Sequence, residues 1–152
     1  MTEKAPSPGE LSTILGFEVR KIDHLGIAVR DLETALLPYR LLGLEVHEYE
    51  TVEDQGVRTA VLALGESRLE LLEPTRPDSP VARFLEKRGE GIHHVAIGVH
   101  DLQAALTHLA NQGVELIDRT PRRGAGGASI AFLHPRAMRG VLLELCERPD
   151  HS

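Results

Sequence analysis

Two histidines and two glutamates stand at matched places in this 152-residue sequence. His24 and His94 open the stretches HLGIAV and HVAIGV, while Glu70 and Glu144 sit inside LELL and LELC. Imidazole nitrogens and carboxylate oxygens in one mixed set suit a divalent transition ion such as Co, Mn, Ni, Fe or Zn better than they suit the all-oxygen shell of Ca. Two neutral imidazoles and two carboxylates leave such a centre formally neutral. Any one of these residues alone reads as a solvent-facing strand glutamate or a core histidine satisfied by a carbonyl. Their duplication is what makes His24, Glu70, His94 and Glu144 a candidate metal set.

The two histidine stretches lie 70 residues apart. The same offset lays Asp31-Leu32 on Asp101-Leu102 and Gly43-Leu44-Glu45-Val46 on Gly113-Val114-Glu115-Leu116, and a slightly longer one lays Arg68–Leu71 on Leu142–Leu145. A match over most of both halves is an internal duplication. Each copy reads strand, helix, strand, strand, strand, which gives an α+β chain of two tandem βαβββ modules. The strands are expected at 22–29, 44–51, 57–64 and 68–73, then at 92–99, 114–119, 128–133 and 140–146. Asp31 and Asp101 are suited to cap the helices that follow, and Gly43 and Gly113 to end them in the left-handed conformation. Pro38 interrupts the first helix and predicts a kink. A short helix over 81–88 lies in the connector, with Arg83, Lys87 and Arg88 on its outer side.

Side chains alternate along a strand, so Leu25, Ile27 and Val29 share one face while His24, Gly26 and Ala28 share the other. The second copy divides in the same way, with Val95, Ile97 and Val99 opposed to His94, Ala96 and Gly98. The branched face suits helix packing. The face that carries a histidine beside Gly and Ala leaves volume expected to admit a ligand. Parity also selects His94 over His93.

Composition narrows the function classes. With 41% hydrophobic residues the chain has enough apolar material for one core, and a net charge of -6 argues against a polyanion partner such as nucleic acid or an acidic membrane. Its single cysteine, Cys146, makes no internal disulfide, and no long apolar run or leader-like segment is evident, so a cytoplasmic protein without membrane association is expected. Residues 1–20, rich in Pro, Glu and Ser, read as a flexible N-terminal extension. Residues 21–148 read as a single domain, with modules at about 21–74 and 91–147 joined by 75–90, and 149–152 as a tail.

Several stretches carry a more specific likeness. They are IDHLGIAV from Ile22, DQGVR from Asp54, LELLEP from Leu69, DSPVARFLEKRGEGIHHVA from Asp78 and FLHPRAMRGVLLEL from Phe132. Together they resemble the methylmalonyl-CoA epimerases of the vicinal oxygen chelate superfamily over roughly residues 22–147. The resemblance implies a mixed sheet curled around a metal cleft, a homodimer, an acyl-CoA substrate and a place in propionate metabolism. It implies metal-dependent epimerisation of (R)- and (S)-methylmalonyl-CoA, by abstraction of the C2 proton through an enolate that the metal stabilises. Carried across by position, His24, Glu70, His94 and Glu144 are the ligands, and Glu144 is also the catalytic base. One departure stands out: Thr59 occupies a position where some members carry a glutamate. The second proton carrier is left to a water, to an acid such as Glu48 or Glu53, or to a one-base route.

For the CoA handle, Arg122 and Arg123 with the amides of Gly126 and Gly127 are candidate phosphate contacts, and Arg136 and Arg139 flank a second turn. Two other functions use similar parts. A glyoxalase-type isomerase of glutathione thiohemiacetals shares the metal logic, and a non-catalytic small-molecule binder shares the architecture but calls for more than 3% aromatic residues. An extradiol dioxygenase expects two histidines and one carboxylate, which Glu70 exceeds.

Overall fold

The computed structural model describes residues 3–149. Among the described residues eight strands form one mixed sheet in the order β2-β3-β4-β1-β5-β8-β7-β6. The first module supplies β1 (Glu18–Ala28), α2 (Leu32–Leu41), β2 (Val46–Val52), β3 (Val57–Leu64) and β4 (Ser67–Pro74). The second supplies β5 (Gly91–His100), α4 (Leu102–Asn111), β6 (Arg122–Arg123), β7 (Ser129–Phe132) and β8 (Leu143–Glu147). Within each module the first and last strands run parallel, β1 with β4 and β5 with β8, and the modules join where β1 pairs antiparallel with β5.

The duplication extends to the helix starts. Asp31 accepts the Thr34 amide and Asp101 the Ala104 amide. Glu73 accepts the Leu32 amide, and Glu147 accepts those of Asp101 and Leu102. Each last strand thus ends in a carboxylate placed against the unpaired amides of its own module's helix, where the helix dipole also favours a negative charge. Both helices end at glycines with positive φ, 88° at Gly43 and 80° at Gly113. Helix α2 runs through Pro38, whose ring lies on the exposed side.

As parity predicts, Ile27 and Val29 pack on Leu32 and Leu36 of α2, and Ile97 and Val99 pack on Leu102, Ala105 and Leu106 of α4. The connector forms α3 (Pro80–Arg88), with Ser79 as its N-cap and Arg83, Lys87 and Arg88 exposed. Its Val81 and Leu85 pack with Ala28, Val52, Val57 and Leu72, closing one end of the first module.

Two expectations need correction. No strand covers 114–119: Leu116 makes one isolated bridge with Leu133, and the second strand of this module shrinks to Arg122–Arg123. There the Asp118 side chain accepts the Phe132 amide, a local bond that replaces part of the ladder, and Pro121 offers no N–H. Nor is the N-terminal segment structureless, for it contains α1 (Pro8–Leu15), and β1 already begins at Glu18. Ser7 and Glu10 form the side-chain and backbone bonds of a helix start, and Phe17 packs into the cluster around α4. Residues 1–2 of the expected extension, and all of the expected tail except Pro149, lie outside the described residues. Among the described residues no helix is long and apolar enough to cross a membrane.

Candidate metal centre

The antiparallel β1–β5 seam decides the geometry. His24 pairs with Ala96 and Gly26 with His94, so the two imidazoles occupy diagonal positions on one face. Their Nε2 atoms lie 3.1 Å apart. Glu144, on β8, brings Oε2 to 3.2 Å from His24 Nε2 and Oε1 to 3.7 Å from His94 Nε2. Ligand atoms about 2.1 Å from an ion and at right angles to one another lie roughly 3 Å apart, so these spacings fit the edges of a coordination shell. All three side chains are buried, and Glu144 Oε2 faces His24 Nε2. A buried carboxylate oxygen is costly unless a positive charge meets it, which here is the protonated His24 ring or an ion in its place.

The expected ligand volume beside the histidines is mostly filled. A side chain on Gly26 would fall on the His94 ring, so glycine is required for the histidine to reach its place. Ala28 lies under α3. What is left is a cavity of about 20 Å³ lined by His24, Thr59, Glu70, His94 and Glu144 among others. That is room for one water or one ion.

Glu70 is the expected ligand that falls outside this group. Its Oε2 lies 3.3 Å from His24 Nδ1, the far nitrogen of the ring, and 3.5 Å from Arg148 Nη2. Asp23 and Arg148 had no assigned role in the sequence reading. A bulge between Ile22 and His24 lets Asp23 and His24 both turn inward, against strict alternation, and Asp23 Oδ2 meets His24 Nδ1 at 2.7 Å. The signal was present in the duplication, because His93 occupies the same place in the second copy. Its Nδ1 lies 2.9 Å from His94 Nδ1. Each candidate histidine is therefore touched by the residue before it. Asp23, His24 and Cys146 also form a close group, but Arg148 already supplies a positive charge to Asp23 there.

The electrostatics separate the two imidazoles. Burial drives His94 well below its ordinary value, helped by the charges of His24 and His93, so it stays neutral with a free lone pair. Burial alone likewise lowers His93, to about 4. For His24 burial also opposes charge, but the carboxylates of Asp23, Glu144 and Glu70 prevail and raise it to about 10. Burial raises Glu70 above the carboxylate range against the pull of His24. In Asp23 the hydrogen bonds from His24 and Arg148 overcome burial and hold it below that range. Burial pushes the Cys146 thiol up, which makes it a poor nucleophile.

Without an ion, the His24 proton is thus the local cation. It stabilises the fold in full below the ordinary 6.5, and that contribution is lost as pH rises through about 10. A bound ion has to displace this proton. Ion affinity is therefore expected to rise about tenfold per pH unit up to that value, with about one proton released per ion near neutral pH. Calorimetry in buffers of different ionisation enthalpy checks it, and a pH-independent affinity excludes His24 as a ligand.

The candidate CoA contacts are scattered. Arg122 Nε lies 3.4 Å from Asp118, and Arg123 is exposed beside Glu50, Glu53 and Asp54. Gly126 and Gly127 form a strap that crosses toward β2, where Glu50 accepts the Gly126 amide. Arg136 pairs with Glu115 at 2.8 Å. Thr59 is buried in the cleft wall, whereas Glu48 and Glu53 are exposed.

Residues 23–132 match the Glyoxalase/Bleomycin resistance protein/Dioxygenase superfamily. The chain belongs to that superfamily. The "Uncharacterized protein YqjC" of Bacillus subtilis is 48% identical over 130 residues, covering 85% of this chain and 93% of that protein. The "Ethylmalonyl-CoA/methylmalonyl-CoA epimerase" of Cereibacter sphaeroides is 39% identical over 130 residues, 84% and 97% of the two chains. A solved methylmalonyl-CoA epimerase in complex with methylmalonyl-CoA and NH4+ superposes with a TM-score of 0.83 at 44% identity, covering 86% of this chain and 95% of that one. For this superfamily member, the α+β architecture of paired βαβββ modules is the one its sequence predicted.

Proposed function

We propose that the chain is a metal-dependent methylmalonyl-CoA epimerase that moves the C2 proton of its substrate. The observation that carries this reading is the convergence of His24 Nε2, His94 Nε2 and the Glu144 carboxylate on an ion-sized cavity, in a chain with epimerase relatives. These three side chains, with Glu70 in the wall of the same cavity, would hold a divalent ion, which would supply Lewis-acid stabilisation of the negative charge that develops on the thioester oxygen. Glu144 is the base, because a carboxylate that holds an ion through one oxygen keeps the other free to accept the C2 proton.

Glu50 stands opposite Thr59 in the β2–β3 register, and this supports a carboxylate from the neighbouring strand as the second proton carrier. For the CoA arm we favour a cavity of about 440 Å³ beside the cleft, lined by Arg20, Lys21, Arg148 and Gly127 among others. The expected contacts of Arg122, Arg123 and Gly126 are then secondary. Along the β1–β5 seam Ile22 and Ile92 are exposed and Leu25 and Val95 half-buried, which supports a homodimer. A cytoplasmic location completes the reading.

In D2O the purified protein is expected to place deuterium at C2 of methylmalonyl-CoA. A chelator is expected to abolish this, and added Co or Mn to restore it. Absence of exchange with every metal tried, or exchange indifferent to chelation, defeats the reading. A glutathione thiohemiacetal serves as the comparison substrate and is expected to be left unchanged.

A further inference from the structure

We infer that Arg148 is a positioning residue for the ion site, fixing the tautomer and orientation of His24 through Asp23. An imidazole whose Nδ1–H donates to a carboxylate presents an unprotonated Nε2 once the site is loaded, and this is the nitrogen that faces His94 and Glu144. The orienting carboxylate must itself be held, because Asp23 is buried. Arg148 does this with a two-pronged contact: Nε donates to Oδ1 at 2.9 Å and Nη2 donates to Oδ2 at 2.8 Å. A planar guanidinium matches a carboxylate in this way, whereas an ammonium does not.

The fork has two further contacts. Nη2 lies 3.5 Å from Glu70 Oε2, and Nη1 donates to the Ala125 carbonyl in the strap at 3.4 Å. Arg148 follows β8 in the second module, whereas Asp23, His24 and Glu70 belong to the first. A residue of one module therefore sets the geometry of ligands in the other. The duplication shows that this is not generic strand packing. Pro74 follows Glu70 at the spacing at which Arg148 follows Glu144, and the second module orients His94 with neutral His93 instead. Only the module whose orienting group is an anion receives a guanidinium.

This rests on the ion site proposed above. Co affinity is measured by calorimetry for the wild type, Arg148→Met, Arg148→Lys, Asp23→Asn and the Arg148→Met/Asp23→Asn double variant, with folding followed by circular dichroism. Arg148→Met and Asp23→Asn are each expected to weaken binding about 10–100-fold, and Arg148→Lys is expected not to restore it. The double variant is expected to lose little more than the worse single one, because both changes break one arrangement. Added guanidinium is expected to recover affinity in Arg148→Met, where sodium at equal ionic strength does not. Wild-type affinity in a folded Arg148→Met protein overturns the inference, and so do losses that multiply in the double variant. If Arg148→Met fails to fold, Arg148→Lys and Asp23→Asn decide it, with wild-type affinity in both overturning it. A wild type that takes up no divalent ion instead overturns the proposed metal site.

Discussion

Glu144→Gln is expected to lower C2 deuterium exchange about 10²–10⁴-fold while the protein still takes up its ion, since general base catalysis contributes on that scale. Two features make this a clean substitution. Glutamine has nearly the shape of glutamate, and its amide oxygen can take the place of Oε2, 3.2 Å from His24 Nε2. An amide oxygen remains a usable ligand, but an amide cannot take a proton from carbon at neutral pH. Exchange is followed by proton NMR at saturating ion, so that weaker metal binding does not pass for lost chemistry. Wild-type exchange in a metal-loaded variant removes Glu144 from the role of base.

Gly26→Ala is the other large effect, at a position that never touches the ion. The added methyl falls on the His94 ring, which is fixed by its contacts with His24 and His93 and by the edge of Phe132, with ring centroids 5.4 Å apart. Either His94 leaves its place or the β1–β5 seam opens. Overpacking of this kind costs about 1–3 kcal/mol. Loss of an imidazole ligand is expected to reduce ion affinity at least about 100-fold, since even disturbing a ligand's support costs 10–100-fold. Gly98→Ala is the control: its methyl meets Lys21 Cγ at an ordinary 3.5 Å, and ion binding should be unchanged. Calorimetric titration of the two variants beside the wild type decides it. Equal affinity in Gly26→Ala means that the ring has somewhere else to go.

The difference between these positions shows what could be read in advance. Strand parity placed His24 and His94 on one face because alternation is a local property of extended backbone, and the packing of Ile27 and Val99 on their helices followed from the same rule. Parity failed at Asp23, where a bulge turned two consecutive residues inward. A bulge depends on the partner strand, so no local pattern announces it. The expected strand at 114–119 failed for a related reason, since the Asp118 side chain satisfied an amide that ladder pairing would otherwise have used. The helix at Pro8–Leu15 was legible after all, in the sequence Ser7-Pro8-Gly9-Glu10, but composition outweighed the capping signal.

By itself the sequence determined the duplication, the order of strands and helices in each module, and the types and strand positions of four candidate ligands. Those features follow from periodicity and chemistry along the chain. Only the tertiary structure decided that the cavity beside the histidines is ion-sized, that Glu70 faces the far side of the His24 ring, and that Asp23 and Arg148 stand behind that ring. These depend on the register of the antiparallel seam between modules and on contacts more than 120 residues apart in sequence, as in the 125-residue separation of Arg148 from Asp23. No local rule reaches that far, because such contacts form only when the two modules close on one another.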